Sequence, residues 1–228
     1  MAAGIRGGWR GAVYVALATV VATGCSTAAD GSPKAGTSAK STDRASGATG
    51  TATAAKSGGT LGPAGSACEL PVSFDTAEDW KPQSIDAAAQ APIKADGTRD
   101  VTDPLFRQGP VTLVCEIDAK PAGNIGYLRV WTGKPGAADA ATVLKAFVAA
   151  EHGAGKAVYR AFDAGGLSGT EVEYVYTSEA LQESKKESAF AVTTDRGPVV
   201  VHLGGLDTGE HTEMLPAYRL AQRTLRTT

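Results

Sequence analysis

The chain has 228 residues, with 22 Lys and Arg against 24 Asp and Glu, a formal charge of −2; that balance excludes a strongly basic nucleic-acid binder. Hydrophobic residues reach 43% but aromatics only 6%, so Gly and Ala supply much of the apolar bulk. Three Cys and three His are too few for a disulfide-dense scaffold or for most zinc modules, and no apolar run approaches the ~20 residues of a spanning helix.

The opening MAAGIRGGWRGAVYVALATVVATGC reads as an address. Arg6 and Arg10 form a positive start, and twelve uncharged residues follow from Gly11 to Ala22. This is the layout of a secretory signal, because twelve helical residues rise only about 18 Å, short of the ~30 Å hydrocarbon core. Ala22-Thr23-Gly24-Cys25 resembles the bacterial lipobox. There the Cys thiol takes a diacylglyceryl group, and small residues before it give the signal peptidase access. The expected processing therefore removes residues 1–24 and lipidates Cys25; the competing reading is ordinary secretion with an unmodified Cys. Each buried CH₂ contributes about 0.8 kcal/mol, and two acyl chains anchor stably where one is marginal.

Residues 26–66 hold one large apolar residue, Leu61, in 41 positions. Such a segment cannot bury enough surface to offset its ordering entropy, so a disordered tether is expected. From Ala67 to Thr228 apolar residues return in periodic runs. This segment carries 16 basic and 22 acidic residues, a charge of −6. It should be repelled by phosphate backbones and by anionic membrane surfaces.

Val72–Phe74 reads as a short strand before a turn at Asp75–Asp79, with Trp80 and Pro82 after it. Residues 83–110 give no clear pattern. Val111, Leu113, Cys115 and Ile117 alternate with polar residues as in a half-buried strand. Pro121, Gly123 and Asn124 mark a turn before a second strand, Tyr127–Thr132, which suggests a hairpin. Ala137–His152 predicts a helix with Val143, Leu144, Phe147 and Val148 on one stripe, ended by Gly153. Val158–Phe162 and Glu171–Thr177 read as strands around Gly165-Gly166, with Val172, Tyr174 and Tyr176 on one face. Lys185-Lys186 falls in a polar connection. Phe190–Thr194 and Val199–Leu203 flank a turn at Asp195–Pro198. Asp207 and Glu210 have capping-box spacing. The closing helix aligns Met214, Tyr218, Ala221 and Leu225, with Pro216 near its first turn. The fold class expected is α+β, an antiparallel β-sheet with packed amphipathic helices.

VSFDTAEDW (72–80), the hairpin before a helix, GGLSGTEVEYVY (165–176), AFAVTT, VVVHL and the last helix resemble the PsbP-like fold. In particular they resemble lipid-anchored actinobacterial lipoproteins of the LpqN type, and the Ala- and Gly-heavy composition fits a high-GC source. The resemblance implies a PsbP-like sandwich over residues 67–228, a role in the cell envelope, and a non-enzymatic accessory factor that docks on larger complexes. It carries over no catalytic residues.

With Cys25 lipidated, only Cys68 and Cys115 remain to pair in an oxidising compartment; two separate buried thiols are the alternative. His152, His202 and His211 have no metal-ligand spacing, so no metal or cofactor is expected. By parity with Val201 and Leu203, His202 should face solvent or an interface. Ser168 lies outside a G-x-S-x-G elbow, and Gly155-Lys156 lacks the rest of a phosphate-binding loop. Glu171 and Glu173 could act as an acid/base pair, but at i, i+2 they more often form the solvated side of a strand. Trp80, Trp131, Tyr174 and Tyr176 could line an apolar groove or simply pack in the core. These residues support three functions: a non-enzymatic partner-binding lipoprotein at the extracytoplasmic face, a carrier of a small apolar ligand or lipid in a cavity between sheet and helix, or an envelope hydrolase. The third requires Ser168, a His and a carboxylate to converge. Nothing in the residues sets the oligomeric state.

Overall fold

In the computed structural model, the described residues are 55–90, 93–97 and 105–228. The expected leader, Cys25 with its expected lipid attachment, and the expected tether as far as residue 54 lie outside the described residues, as do 91–92 and 98–104 of the unpatterned segment.

The main sheet is antiparallel and takes its order from hairpins. The strands are β3 (Lys81–Ser84), β4 (Arg107–Gln108), β5 (Val111–Asp118), β6 (Gly126–Thr132), β7 (Ala154–Ala164), β8 (Leu167–Ser178), β9 (Glu183–Thr194) and β10 (Gly197–Gly205). They lie in the order β3-β5-β6-β10-β9-β8-β7, with β4 also paired to β5. A smaller sheet has the order β1-β2-β11, from β1 (Ser57–Leu61), β2 (Val72–Ala77) and β11 (Arg226–Thr227). Helix α1 (Ala87–Gln90) is one turn. Helices α2 (Ala140–Ala149) and α3 (Thr208–Arg223) are the substantial ones.

The two faces of the main sheet are covered unequally. On one face, α3 and the small sheet bury Leu61, Val72, Phe74, Ile117, Val201, Met214 and Tyr218 in the larger core. On the other, α2 alone packs Leu144, Phe147 and Val148 against Leu113, Trp131, Val172 and Val200. A ten-residue helix rises about 15 Å, whereas β8 and β9, of twelve residues each, span roughly 40 Å. Helix α2 thus leaves one end of its face uncovered.

Strand β5 changes layers midway. Its register shifts between Leu113 and Cys115: Leu113 pairs with Trp131 and Cys115 with Val130. That is one extra residue, Val114, on β5, a β-bulge. Val111 and Leu113 therefore face α2, while Cys115 and Ile117 face α3. Alternation along 111–117 gives the right strand but hides this switch. Cys115 then meets Cys68 in a disulfide with Cα atoms 6.0 Å apart, which joins the segment between β1 and β2 to the main sheet.

Several boundaries differ from expectation. The stretch expected as a tether through residue 66 contains a strand, Ser57–Leu61. Strand β1 pairs antiparallel with β2, because a Gly-rich segment needs only its backbone to add to a sheet, and Leu61 is buried beneath it. Lys185 and Lys186 lie within β9 rather than in a connection, paired with Tyr176 and Val175. Pro216 sits mid-helix in α3, and its carbonyl accepts the backbone N–H of Ala55 at 3.1 Å. Asp207 caps α3 by accepting from Glu210 N at 2.9 Å. Glu210 does not return the bond but accepts from Ile125 N at 2.9 Å. Only half of the expected box forms, and its other half ties the helix to the start of β6.

Candidate functional site

The uncovered end of the α2 face is a cleft of about 740 Å³, within the range of small-molecule sites. Its floor is built by β6, β8, β9 and β10, and its wall by the residues that follow α2. Of the seven exposed large hydrophobic residues among those described, five line this cleft: Leu105, Ile125, Tyr127, Leu181 and Leu206. Scattered exposed apolar residues need no explanation, but their gathering around one concavity does.

A polar cluster lies beneath that apolar rim. Tyr174 of β8 is the cross-strand partner of Glu187 on β9, and His202 of β10 lies diagonally beyond. Glu151 reaches the same point from the turn after α2. Gly153 makes the turn possible: its φ is +94°, and a Cβ there would lie 2.3 Å from the Thr177 carbonyl oxygen. The Tyr174 hydroxyl is 2.5 Å from Glu151 Oε2, 2.9 Å from Glu187 Oε2 and 3.1 Å from His202 Nε2. His202 Nε2 is also 2.9 Å from Glu187 Oε2. Lys185 Nζ lies 2.9 Å from the other Glu187 oxygen and donates to the Gly205 carbonyl at 2.8 Å. Gly204 keeps the floor open; a Cβ there would come within 3.3 Å of the His202 ring.

Burial opposes charge on Glu187, but His202 and Lys185 outweigh it and hold the carboxyl at about 2. Burial pushes the Glu151 carboxyl up; His202 opposes the rise and Glu187 adds to it. Burial, Glu187 and Glu151 push the Tyr174 phenol well up. One phenol hydrogen cannot serve two carboxylate oxygens. Tyr174 donates to one of them at a time, so the two carboxylates compete for a single donor.

The residues singled out from sequence fall in different places. His202 does not face open solvent as expected: it is 7% exposed, lies at the floor of the cleft and shares its face with Val200, beneath α2. His211 is fully buried on the opposite face, its Nε2 2.9 Å from Ser188 Oγ. His152 is exposed at the cleft edge. Ser168 is exposed and donates to Asp163 at 2.7 Å; among the described residues it has no hydrogen bond to a His of the kind the hydrolase reading requires. Glu171 and Glu173 do not act together. Glu171 is held by Arg219 and Gln222, while Glu173 faces Lys186 at 3.4 Å. Of the four aromatics, Trp131 and Tyr176 line the cleft, Tyr174 is buried beneath it, and Trp80 packs in the α3-side core. Glu151 and Glu187 were not visible from sequence. Glu187 shares parity with Ala189 and Ala191, which would have placed it on the α2 face had the charged stretch 183–187 been read as strand.

A family model described as an uncharacterised lipoprotein matches residues 38–225. The chain belongs to this lipoprotein family. Membership places it with proteins held at a membrane by lipid. Among the described residues no helix is long and apolar enough to cross a membrane. No curated protein matches the chain. Among solved structures, the solution structure of cyanobacterial PsbP (CyanoP) from Synechocystis sp. PCC 6803 is similar, at 10% identity and a TM-score of 0.48, over 75% of this chain and 92% of that one.

Proposed function

We propose that this lipoprotein is a non-enzymatic binding protein at the extracytoplasmic face of the cell membrane, and that its cleft holds an amphiphile. The observation that carries the reading is the cleft itself, with apolar residues gathered at the rim and buried charged groups at the floor. That arrangement suits a molecule with an apolar chain and a polar end. It favours ligand carriage over the protein-partner reading, since a protein interface core is depleted in charge.

Anchoring through Cys25 is part of the proposal. It rests on Arg6, Arg10, the apolar run and Ala22-Thr23-Gly24-Cys25. Residues 26–54 would then be a tether with a reach of about 30 Å, taken as flexible coil. The PsbP-like assignment rests on element order: hairpin, helix, further hairpins, helix. Replacement of Cys25 by Ser should release the protein from the membrane fraction and leave its N-terminus without acyl mass in mass spectrometry. Retention of the acylated mass in C25S would overturn the anchor.

Ligand binding is tested with the full chain in detergent and a fluorescent fatty-acid probe displaced by membrane lipid extract. Leu181→Asp and Leu206→Asp should each weaken the probe about tenfold, the effect of placing a charge against an apolar chain at a cost of about 1.4 kcal/mol. Both positions are largely exposed, so the urea midpoint should not move. Probe binding that is absent in the parent chain, or equal in all three proteins, sinks the amphiphile reading.

A further inference from the structure

We infer that Glu151, Glu187 and His202 form a binding site for a divalent transition-metal ion of the Zn²⁺ type, with the Tyr174 hydroxyl beside them. The inference goes beyond amphiphile binding: it concerns the buried groups at the floor of the cleft rather than its apolar rim.

The spacing of the donor atoms carries it. A tetrahedral ion with ligands at 2.0–2.1 Å holds them about 3.3 Å apart. His202 Nε2 lies 2.9 Å from Glu187 Oε2, and the Tyr174 oxygen lies 2.5, 2.9 and 3.1 Å from the Glu151, Glu187 and His202 donors. The Glu151, Glu187 and His202 atoms all fall within 4.8 Å of one another. Three donors from two adjacent strands and one turn thus lie together around the Tyr174 hydroxyl, close enough to share one ion. The donor types agree: one imidazole nitrogen and carboxylate oxygens suit Zn²⁺ and its neighbours better than Ca²⁺ or Mg²⁺, which prefer oxygen alone.

The surroundings fit as well. Lys185 engages Glu187 through Oε1 and leaves Oε2 to the cluster, as second-layer partners of ligating carboxylates do. Glu151, Glu187 and His202 all line the cleft, so an ion has a path from solvent. Two carboxylate oxygens converge on one hydroxyl with a single hydrogen, an excess of acceptors that a cation satisfies. Any proton held among these groups leaves to solvent as the ion binds, with no change of oxidation state.

The test uses the untagged full chain, stripped with a chelator and titrated with Co²⁺, whose visible absorption reports tetrahedral coordination. One equivalent should bind with a Kd of about 1 μM or tighter. Glu151→Gln and His202→Gln should each weaken it at least tenfold, while Glu173→Gln, on the same strand as Tyr174 but outside the cluster, should not. Zn²⁺ should raise the melting temperature of the parent chain and not that of E151Q, which separates a lost ligand from a damaged fold. Binding no tighter than about 1 mM, or equal binding in E151Q and H202Q, overturns the site. Leu181→Asp and Leu206→Asp leave the donors untouched, so ion binding and amphiphile binding can fail separately.

Discussion

Replacing Cys68 and Cys115 together by Ala should lower stability by about 4 kcal/mol, the entropy of closing a loop of that length in the unfolded chain. The bond spans 47 residues and encloses β2, β3, α1, β4 and the first half of β5. Both sulfurs lie in the larger core, at 2% and 0% exposure, so the small sheet is tied to the main one where water is excluded. For a domain of this size the loss amounts to a fall of roughly 8–16 °C in melting temperature. Urea unfolding followed through the buried Trp80 and Trp131 measures it. The midpoint should fall with an unchanged or steeper slope, since the freed chain exposes more surface. An unchanged midpoint would mean that the small sheet is held by packing alone.

Acidification should cost the fold about 3 kcal/mol as pH falls from 6.5 through 4, and His211 is the cause. Burial holds its imidazole at about 4 against an ordinary 6.5; Glu173 and Glu187 oppose the shift. The ring is fully buried, and its Nδ1 has no hydrogen-bond partner. The group is depressed in the folded state, so the unfolded chain binds the extra proton first. Its contribution is complete above pH 6.5 and gone below pH 4. The size follows from 2.5 pKa units at about 1.36 kcal/mol each, rounded down for relaxation around the ring. Urea midpoints at pH 7, 5.5 and 4 provide the measurement. His211→Gln, which cannot take up a proton, should flatten the decline across that window. A decline as steep in the variant as in the parent would place the acid sensitivity elsewhere.

The hairpins were legible in the sequence because each side of their sheet is buried at alternate positions. Tyr127–Thr132, Glu171–Thr177 and Val199–Leu203 all fall within observed strands. Helix α2 was legible because Val143, Leu144, Phe147 and Val148 form one stripe, all four buried. What escaped notice has a common physical basis: structure held by backbone or by buried charge leaves no apolar rhythm. Strand β1 reads SGGTL and looks like linker. The start of β9 reads ESKKES and looks solvated, yet Glu187 is 3% exposed. The cleft arises from the mismatch between a short helix and long strands, a difference of lengths that no single segment displays. Its two carboxylates come from separate elements 36 positions apart in sequence, so no local spacing could unite them with His202.

The extra residue in β5 has a consequence for how the chain can be oxidised. A slip of one position beyond Leu113 would turn the Cys115 thiol toward α2, on the far side of the sheet from Cys68. Only a chain whose β5 has kept its irregular step can close the bond. Under oxidising conditions the crosslink therefore acts as a proofreader of strand alignment: correctly aligned molecules lock, and misaligned ones keep two free thiols and can try again.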